Sequence, residues 1–309
     1  MGMKIPFLKP VVPPHVFCLL PEGVTYARVR SEEPAGFEEA RHFRYPAGSV
    51  ASGASGAPLL TREAIAEAVK AARALSGGRL SRASVIFPDA WAKILPVELE
   101  TIPDRSDAGR EMVLWKLKKL LPGHPTDLSV AYEPMPVLSD EKRVLVAATP
   151  RETVVAIERA FEDAGVKIGY LAPAGLALFE GLAPALASAS SGDYALLHRS
   201  SGAMSFFIAR GTAPILFRQR PPESDDGEDY DREARLSLSY YAEKLKGPGL
   251  SAVYVHDELP GRELEKMGAF PVPVVSITGG LFSADRAFDE RVGARPELLA
   301  GFAAVYGGR

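Results

Sequence analysis

The order of elements is written twice along this chain, and that repetition leaves few folds open. Alternating apolar residues mark three short strands at 15–20, 24–30 and 37–45, with Pro21-Glu22-Gly23 turning the first pair into a hairpin; a helix and a buried strand at 83–87 follow. Past residue 192 the series recurs, with strands at 194–198, 203–209 and 214–220, a helix stopped by Gly247-Pro248-Gly249, and a buried strand at 251–255. Such strands need helices on their sheet to close a core, so the chain reads as α/β with duplicated βββαβα halves. At 309 residues it is long enough for both halves and an insertion.

The first helix starts at Thr61 and carries Ile65, Ala68, Val69, Ala72 and Leu75 on one face before Gly77-Gly78 stops it. After the buried strand come a strand at 93–102, a helix opening at 104–107 and running to Leu121, strands at 128–133 and 143–148, and a helix at 151–164. These form a small α/β subdomain, 92–170, inserted in the first half; the first half is then 1–91 with 171–190 and 290–309, and the second is 191–289. The Gly/Ser/Ala stretch 48–57 reads as a flexible connection without chemistry, and 187–192 as a linker. Helices at 259–267 and 296–305 and a strand at 272–277 complete the reading. In the inserted helix Val113, Leu114, Leu117, Leu120 and Leu121 form one stripe, and Trp115 projects almost opposite it.

Composition removes several function classes. A net charge of -3 gives no electrostatic case for nucleic acid. The single cysteine, Cys18, lies in the apolar run 16–20 and reads as a small buried hydrophobe in a reducing compartment. The start of the chain, broken by Pro6, reads as neither signal peptide nor membrane span, and no stretch is long and apolar enough to cross a bilayer. The five histidines (His15, His42, His124, His198, His256) are far apart in sequence, so a structural zinc is not expected. The acidic residues at 225–231 lack the calcium-loop pattern and read as a solvated helix start. Ser200-Ser201-Gly202 beside His198 is the one cluster suggestive of a hydrolase, and it reads as turn formers.

Two such halves, an insertion after the first half's fourth strand and a returning C-terminal helix resemble the actin-like (ribonuclease H-like) proteins of type IV pilus assembly, the PilM family. In the inserted unit Trp115, then Leu121-Pro122, then Asp127 to Tyr132 resemble that family's W-x-x-x-x-(I/L)-P … D-Y segment. Residues 144–150, Ala164-Gly165-Val166 and 297–301 are similar to its later stretches, and the resemblance spans 15–305. The resemblance implies a nucleotide cradle of glycines and carboxylates, from which this chain departs three times. The first loop is Leu20-Pro21-Glu22-Gly23, the second His198-Arg199-Ser200 with Gly202, and the adenine-side loop His256-Asp257-Glu258-Leu259-Pro260-Gly261. Phosphate cradles need close backbone N–H approach, and phosphoryl transfer needs metal-held charge. Glu22, Gly23, His198, Ser200, Gly202, His256, Asp257 and Gly261 are therefore read as vestigial loop positions, with no cofactor, metal or catalysis expected.

A similar loss occurs in the related cytoplasmic domain of the type II secretion GspL proteins. The resemblance implies a cytoplasmic scaffold, peripheral at the inner face of the bacterial inner membrane and touching it only through a partner. That partner is the cytoplasmic tail of a PilN-like bitopic protein, with Trp115, Pro122 and Tyr132 as the positions that bind it; a homo-oligomer is compatible with it. The bland reading of Trp115 is packing between subdomains. The alternative function is an ATP-binding actin-like protein with unconventional loops, in which Glu22 or Asp257 serves as the metal-side carboxylate.

Overall fold

The computed structural model describes residues 12–30, 36–54, 56–102, 107–121, 127–136, 142–200, 202–221, 227–258, 270–277 and 286–307. The chain opens with β1 (His15–Leu19), β2 (Gly23–Arg30) and β3 (Gly36–Arg44), antiparallel neighbours in register Phe17↔Tyr26 and Tyr26↔Arg41. The stretch expected to be a featureless connection holds a short hairpin, β4 (Val50–Ser52) with β5 (Pro58–Leu60). Helix α1 (Arg62–Leu75) follows with Thr61 at its N-cap and Gly77 and Gly78 at positive φ after its end. Then come β6 (Arg82–Phe87), a single 3-10 turn at Asp89–Trp91, β7 (Lys93–Leu99), α2 (Asp107–Leu117), β8 (Leu128–Pro134), β9 (Lys142–Pro150), α3 (Arg151–Asp163), β10 (Lys167–Pro173) and α4 (Ala174–Ala189).

The second series is β11 (Asp193–Ser200), β12 (Ala203–Arg210), β13 (Ala213–Arg220), α5 (Gly227–Glu243), β14 (Leu250–Asp257) and β15 (Val274–Ser276), followed by α6 (Arg286–Ala294) and α7 (Leu298–Gly307). The helix expected at 259–267 lies outside the described residues. The linker expected at 187–192 is in its first part the last turn of α4, which runs to Ala189. Alanine's high helix propensity carries the helix through a stretch whose composition reads as low complexity.

The two five-stranded sheets have the same order, β10-β6-β1-β2-β3 and β13-β12-β11-β14-β15. In each, the first strand pairs antiparallel with the second and parallel with the fourth. The duplication legible in the sequence is thus a duplication of topology. A third sheet, β7-β9-β8, forms the inserted unit with its own small core of Val97, Val113, Leu117, Val144, Val146 and Ala148. Helix α3, placed with this unit in the sequence reading, packs instead in the first half: Ile157, Ala160 and Phe161 belong to the main core, and Phe161 meets Phe17 of β1 edge-on at 5.0 Å. Its position between β9 and β10 makes it the crossover to the fifth strand, so the insertion proper spans β7 to β9.

Helices α4 and α7 join the halves. The main core runs from Phe17 and Val85 of the first sheet through Leu178, Phe179, Leu182, Leu299 and Phe302 to Tyr194, Phe207 and Phe217 of the second. Phe179 of α4 stacks on Phe207 of β12 with ring centres 4.5 Å apart, and Phe207 meets Phe217 at 4.6 Å. Cys18 is buried within this core as a free thiol, pushed well above its usual pKa by burial.

At the outer end of the second sheet, Asp193 accepts both guanidinium bonds of Arg210 at 2.8 Å and the Tyr241 hydroxyl at 2.7 Å. Burial alone pushes this carboxyl up, but the donated hydrogen bonds from Arg210 and Tyr241 outweigh it and hold the group below its ordinary range. A depressed folded pKa gives stability that is present above the unfolded value and lost as pH falls through the folded one. Asp193→Asn is therefore expected to weaken the protein at neutral pH and to flatten its acid-side loss of stability. Urea titrations at pH 7 and pH 4 check this; an unchanged acid slope in the variant contradicts it.

Candidate functional site

The cleft between the halves is where both hairpins, the N-terminus of α4 and the start of α7 converge, and side chains fill it. Asp89, in the 3-10 turn after β6, is fully buried; its Oδ1 accepts from the Gly175 N–H at 2.8 Å and its Oδ2 from the Ser205 hydroxyl at 2.5 Å. The carboxylate thus caps α4, whose residue Pro173 at the N-cap supplies no side-chain cap, and also reaches across to β12. Burial raises its pKa to about 6 against the lowering effect of those two bonds. Gln219 of β13 completes the stitch, donating to the carbonyls of Asp89 and Ala92 at 2.8 and 3.1 Å and accepting from the Ile94 N–H at 2.9 Å.

On the second sheet, parallel pairing of β11 with β14 sets His198 opposite His256 and Arg199 opposite Asp257. The two imidazoles meet through their Nδ1 atoms at 3.0 Å, and His256 Nε2 lies 3.1 Å from the Pro296 carbonyl. Desolvation lowers both pKa values to about 3, so both rings are neutral. Arg199 and Asp257 form a bidentate pair. Glu258 is pushed well above the carboxylate range by burial and by the neighbouring carboxylates Asp89, Glu297 and Asp257. On the first sheet, Thr25 of β2 donates to Glu297 Oε1 at 2.6 Å and lies 3.0 Å from His42 Nδ1.

These contacts test whether the residues present fit a nucleoside triphosphate. In the first turn the Leu20 N–H is bonded to the Gly23 carbonyl at 2.8 Å, and Glu22 is exposed. Gly23 serves another purpose, since a Cβ there would lie 2.4 Å from the Phe43 carbonyl oxygen of the neighbouring strand. In the second turn Gly202 is exposed at φ +76, while Ser200 is a strand residue, buried, its hydroxyl without a partner among the described residues. Asp257 faces an arginine, and Gly261 lies outside the described residues. Neither described turn offers a cradle of free backbone N–H groups, so the loops do not fit a magnesium-bound triphosphate.

His198 and His256, separated by 58 residues, were expected to be apart; the sheet register brings them into contact, which corrects that expectation. The residues that sequence reasoning missed are Asp89, Ser205 and Glu258. Asp89 follows a proline at the end of a buried strand, and only the position of that strand's end beside α4 reveals its role.

The partner positions separate in the structure. Trp115 on α2 is 59% exposed, with the Lys119 ammonium 3.8 Å over its ring. Met112, one turn earlier, is also exposed, and the Thr101 hydroxyl touches its sulfur at 3.9 Å; Ile102, the next residue after Thr101, is exposed as well. Packing between subdomains therefore does not account for Trp115. Tyr132 packs instead against the small core of the inserted sheet, and Pro122 lies outside the described residues. Among the described residues no helix is long and apolar enough to cross a membrane.

Comparison with known proteins fixes the architecture. The PilM–PilN type IV pilus biogenesis complex contains a chain similar over 97% of this protein and 100% of its own length, at 17% identity and a TM-score of 0.73. The cytoplasmic domain of EpsL, an inner membrane component of the type II secretion system of Vibrio cholerae, matches over 93% of both chains at 10% identity and a TM-score of 0.51. A Bacteroides thetaiotaomicron protein with an actin-like ATPase fold and unknown function matches at 11% identity, 96% and 99% coverage, and a TM-score of 0.53. A scan of protein-family models and a search of curated proteins give no match. The chain has the actin-like fold, in the form with duplicated halves that its sequence resemblance implied.

Proposed function

We propose that this chain is a non-catalytic cytoplasmic scaffold of a type IV pilus or type II secretion-like envelope machine, and that it holds the cytoplasmic tail of a bitopic inner-membrane protein. The observation that carries the reading is the likeness over the full length of both chains, insertion included, to a component of the PilM–PilN complex. The filled cleft supports the non-catalytic part, because in-line phosphoryl transfer depends on a backbone phosphate cradle that the loops there do not provide. The exposed Ile102, Met112 and Trp115 supply an apolar surface rimmed by Lys119, of the kind on which a short peptide docks.

Two titrations test this. The N-terminal peptide of a bitopic membrane protein, where one is encoded beside this chain, is expected to change the intrinsic tryptophan fluorescence saturably, with Kd in the micromolar range, and the change should be lost in Trp115→Phe. Trp115→Ala should weaken that binding about tenfold or more, measured by calorimetry, as for an interface hot spot. Labelled ATP with magnesium should show no saturable binding at the same concentrations. Failure of every such tail to bind overturns the scaffold reading, and micromolar ATP affinity overturns the non-catalytic one in favour of the nucleotide-binding alternative.

A further inference from the structure

Besides the Ser200 hydroxyl, two buried polar atoms at the cleft have no hydrogen-bond partner among the described residues, His198 Nε2 and Glu258 Oε1. They lie 3.8 Å apart, and Asp89 Oδ2 is 3.9 Å from the same nitrogen. The proton positions follow from neighbouring contacts. The Pro296 carbonyl can only accept, so His256 Nε2 carries its hydrogen and, in a neutral ring, His256 Nδ1 carries a lone pair. That lone pair accepts from His198 Nδ1 at 3.0 Å, which leaves His198 Nε2 as a bare lone pair.

A nitrogen lone pair facing two carboxyl groups at these separations makes no direct hydrogen bond with either. An imidazole lone pair and two carboxyl oxygens are, however, donor types that a divalent metal ion accepts. With ligand bonds of about 2.0–2.2 Å, donor atoms around one ion sit about 3–3.6 Å apart, so a contraction of a few tenths of an ångström brings each carboxyl to ligand spacing from His198 Nε2. His198 and Glu258 belong to a cluster with His256 whose ligand atoms lie within 4.8 Å of one another, but both His256 nitrogens are committed to His198 and Pro296, so the third ligand falls to Asp89, 3.9 Å from His198 Nε2. We infer that the cleft binds one divalent transition-metal ion of the zinc class through His198 Nε2, Glu258 and Asp89. His256 is the outer partner, fixing the tautomer and orientation of His198 through the relay that ends on Pro296. Two carboxylates and a neutral imidazole balance the ion's charge and suit zinc or manganese rather than a soft, thiolate-seeking metal.

The site stands independently of the partner-tail reading. Asp89 comes from the first half and His198 and Glu258 from the second, so the ion bridges the halves at the place where the resemblance implied a nucleotide would.

The test is metal analysis of untagged protein purified without chelator, followed by stripping and titration with cobalt(II) alone. One equivalent of metal per chain is expected from the single donor set, with visible d–d bands on cobalt loading. His198→Ala and the near-isosteric Glu258→Gln should abolish the bands, each variant being checked for folding by circular dichroism. His256→Phe should keep the bands but lower affinity about 10–100-fold. The inference is overturned if the stripped wild-type protein takes up neither zinc nor cobalt, or if folded Glu258→Gln binds cobalt as tightly as the parent.

Discussion

Gly181→Val is expected to cost about 3 kcal/mol of stability, the upper end of the penalty for overpacking a filled core. Gly181 sits where α4 crosses α7, and a Cβ there would lie 2.1 Å from the Ala303 carbonyl oxygen and 2.3 Å from its carbon. These are backbone atoms of a neighbouring helix, so no side-chain rotation relieves the clash. Gly307 approaches the same point, with its notional Cβ 2.3 Å from Gly181 Cα. Two bulkier residues at this crossing would force the helices apart and lift one sheet from the other. Gly293→Ala in α6 is the control, since nothing lies within 4 Å of its Cβ position. It should be neutral or stabilising by up to about 1 kcal/mol through helix propensity. Urea denaturation of both variants checks the contrast; equal stability of Gly181→Val and the parent would show that α4 and α7 are not clamped together.

Phe207→Ala is expected to cost about 3–5 kcal/mol, as truncation of a fully buried aromatic does. Phe207 is 0% exposed and touches rings from two directions, Phe179 of α4 and Phe217 of β13. Its loss opens a cavity at the seam between the interhalf helices and the second sheet. A double-mutant cycle with Phe179→Ala should return a coupling of about 0.5–1.5 kcal/mol beyond simple area loss. A coupling near zero would mean that the parallel stack contributes only through the area it buries.

The strands were the most legible part of the chain. Each of the six hairpin strands stands within two residues of its expected ends, because period-two alternation and Gly or Pro turns act locally. Two stretches misled for opposite reasons. Residues 48–57 hold a single β-branched residue, Val50, among small ones, yet β4 and β5 pair because the Gly53 N–H bonds the Ala57 carbonyl at 2.8 Å and closes the turn. Residues 187–189 carry small side chains that suggest a linker, yet they continue a helix whose face is already buried.

The cleft was legible only as an absence of glycines and carboxylates in the expected loops. What occupies it was not, because His198 meets His256 through a sheet register and Asp89 reaches Gly175 across 86 residues of sequence. No spacing rule encodes contacts of that range. The positions named in advance, His198, His256 and Asp257, are at the cleft, where His198 meets His256 and Asp257 meets Arg199. Trp115 was the opposite case, since a side chain placed off the helix stripe by a 100° rotation is local information, and it does face solvent.

Helix α4 touches both sheets and α7 packs on α4 and on the first sheet, while Asp89 and Gln219 bind the turn that starts the insertion to the second half. An actin-type body that opens and shuts must slide along such a seam, and here sliding would shear stacked rings and break buried hydrogen bonds together. A tug on α2 at the rim therefore travels to β11 and β12 as through a strut rather than a spring, and the body moves as one piece with whatever pulls on it.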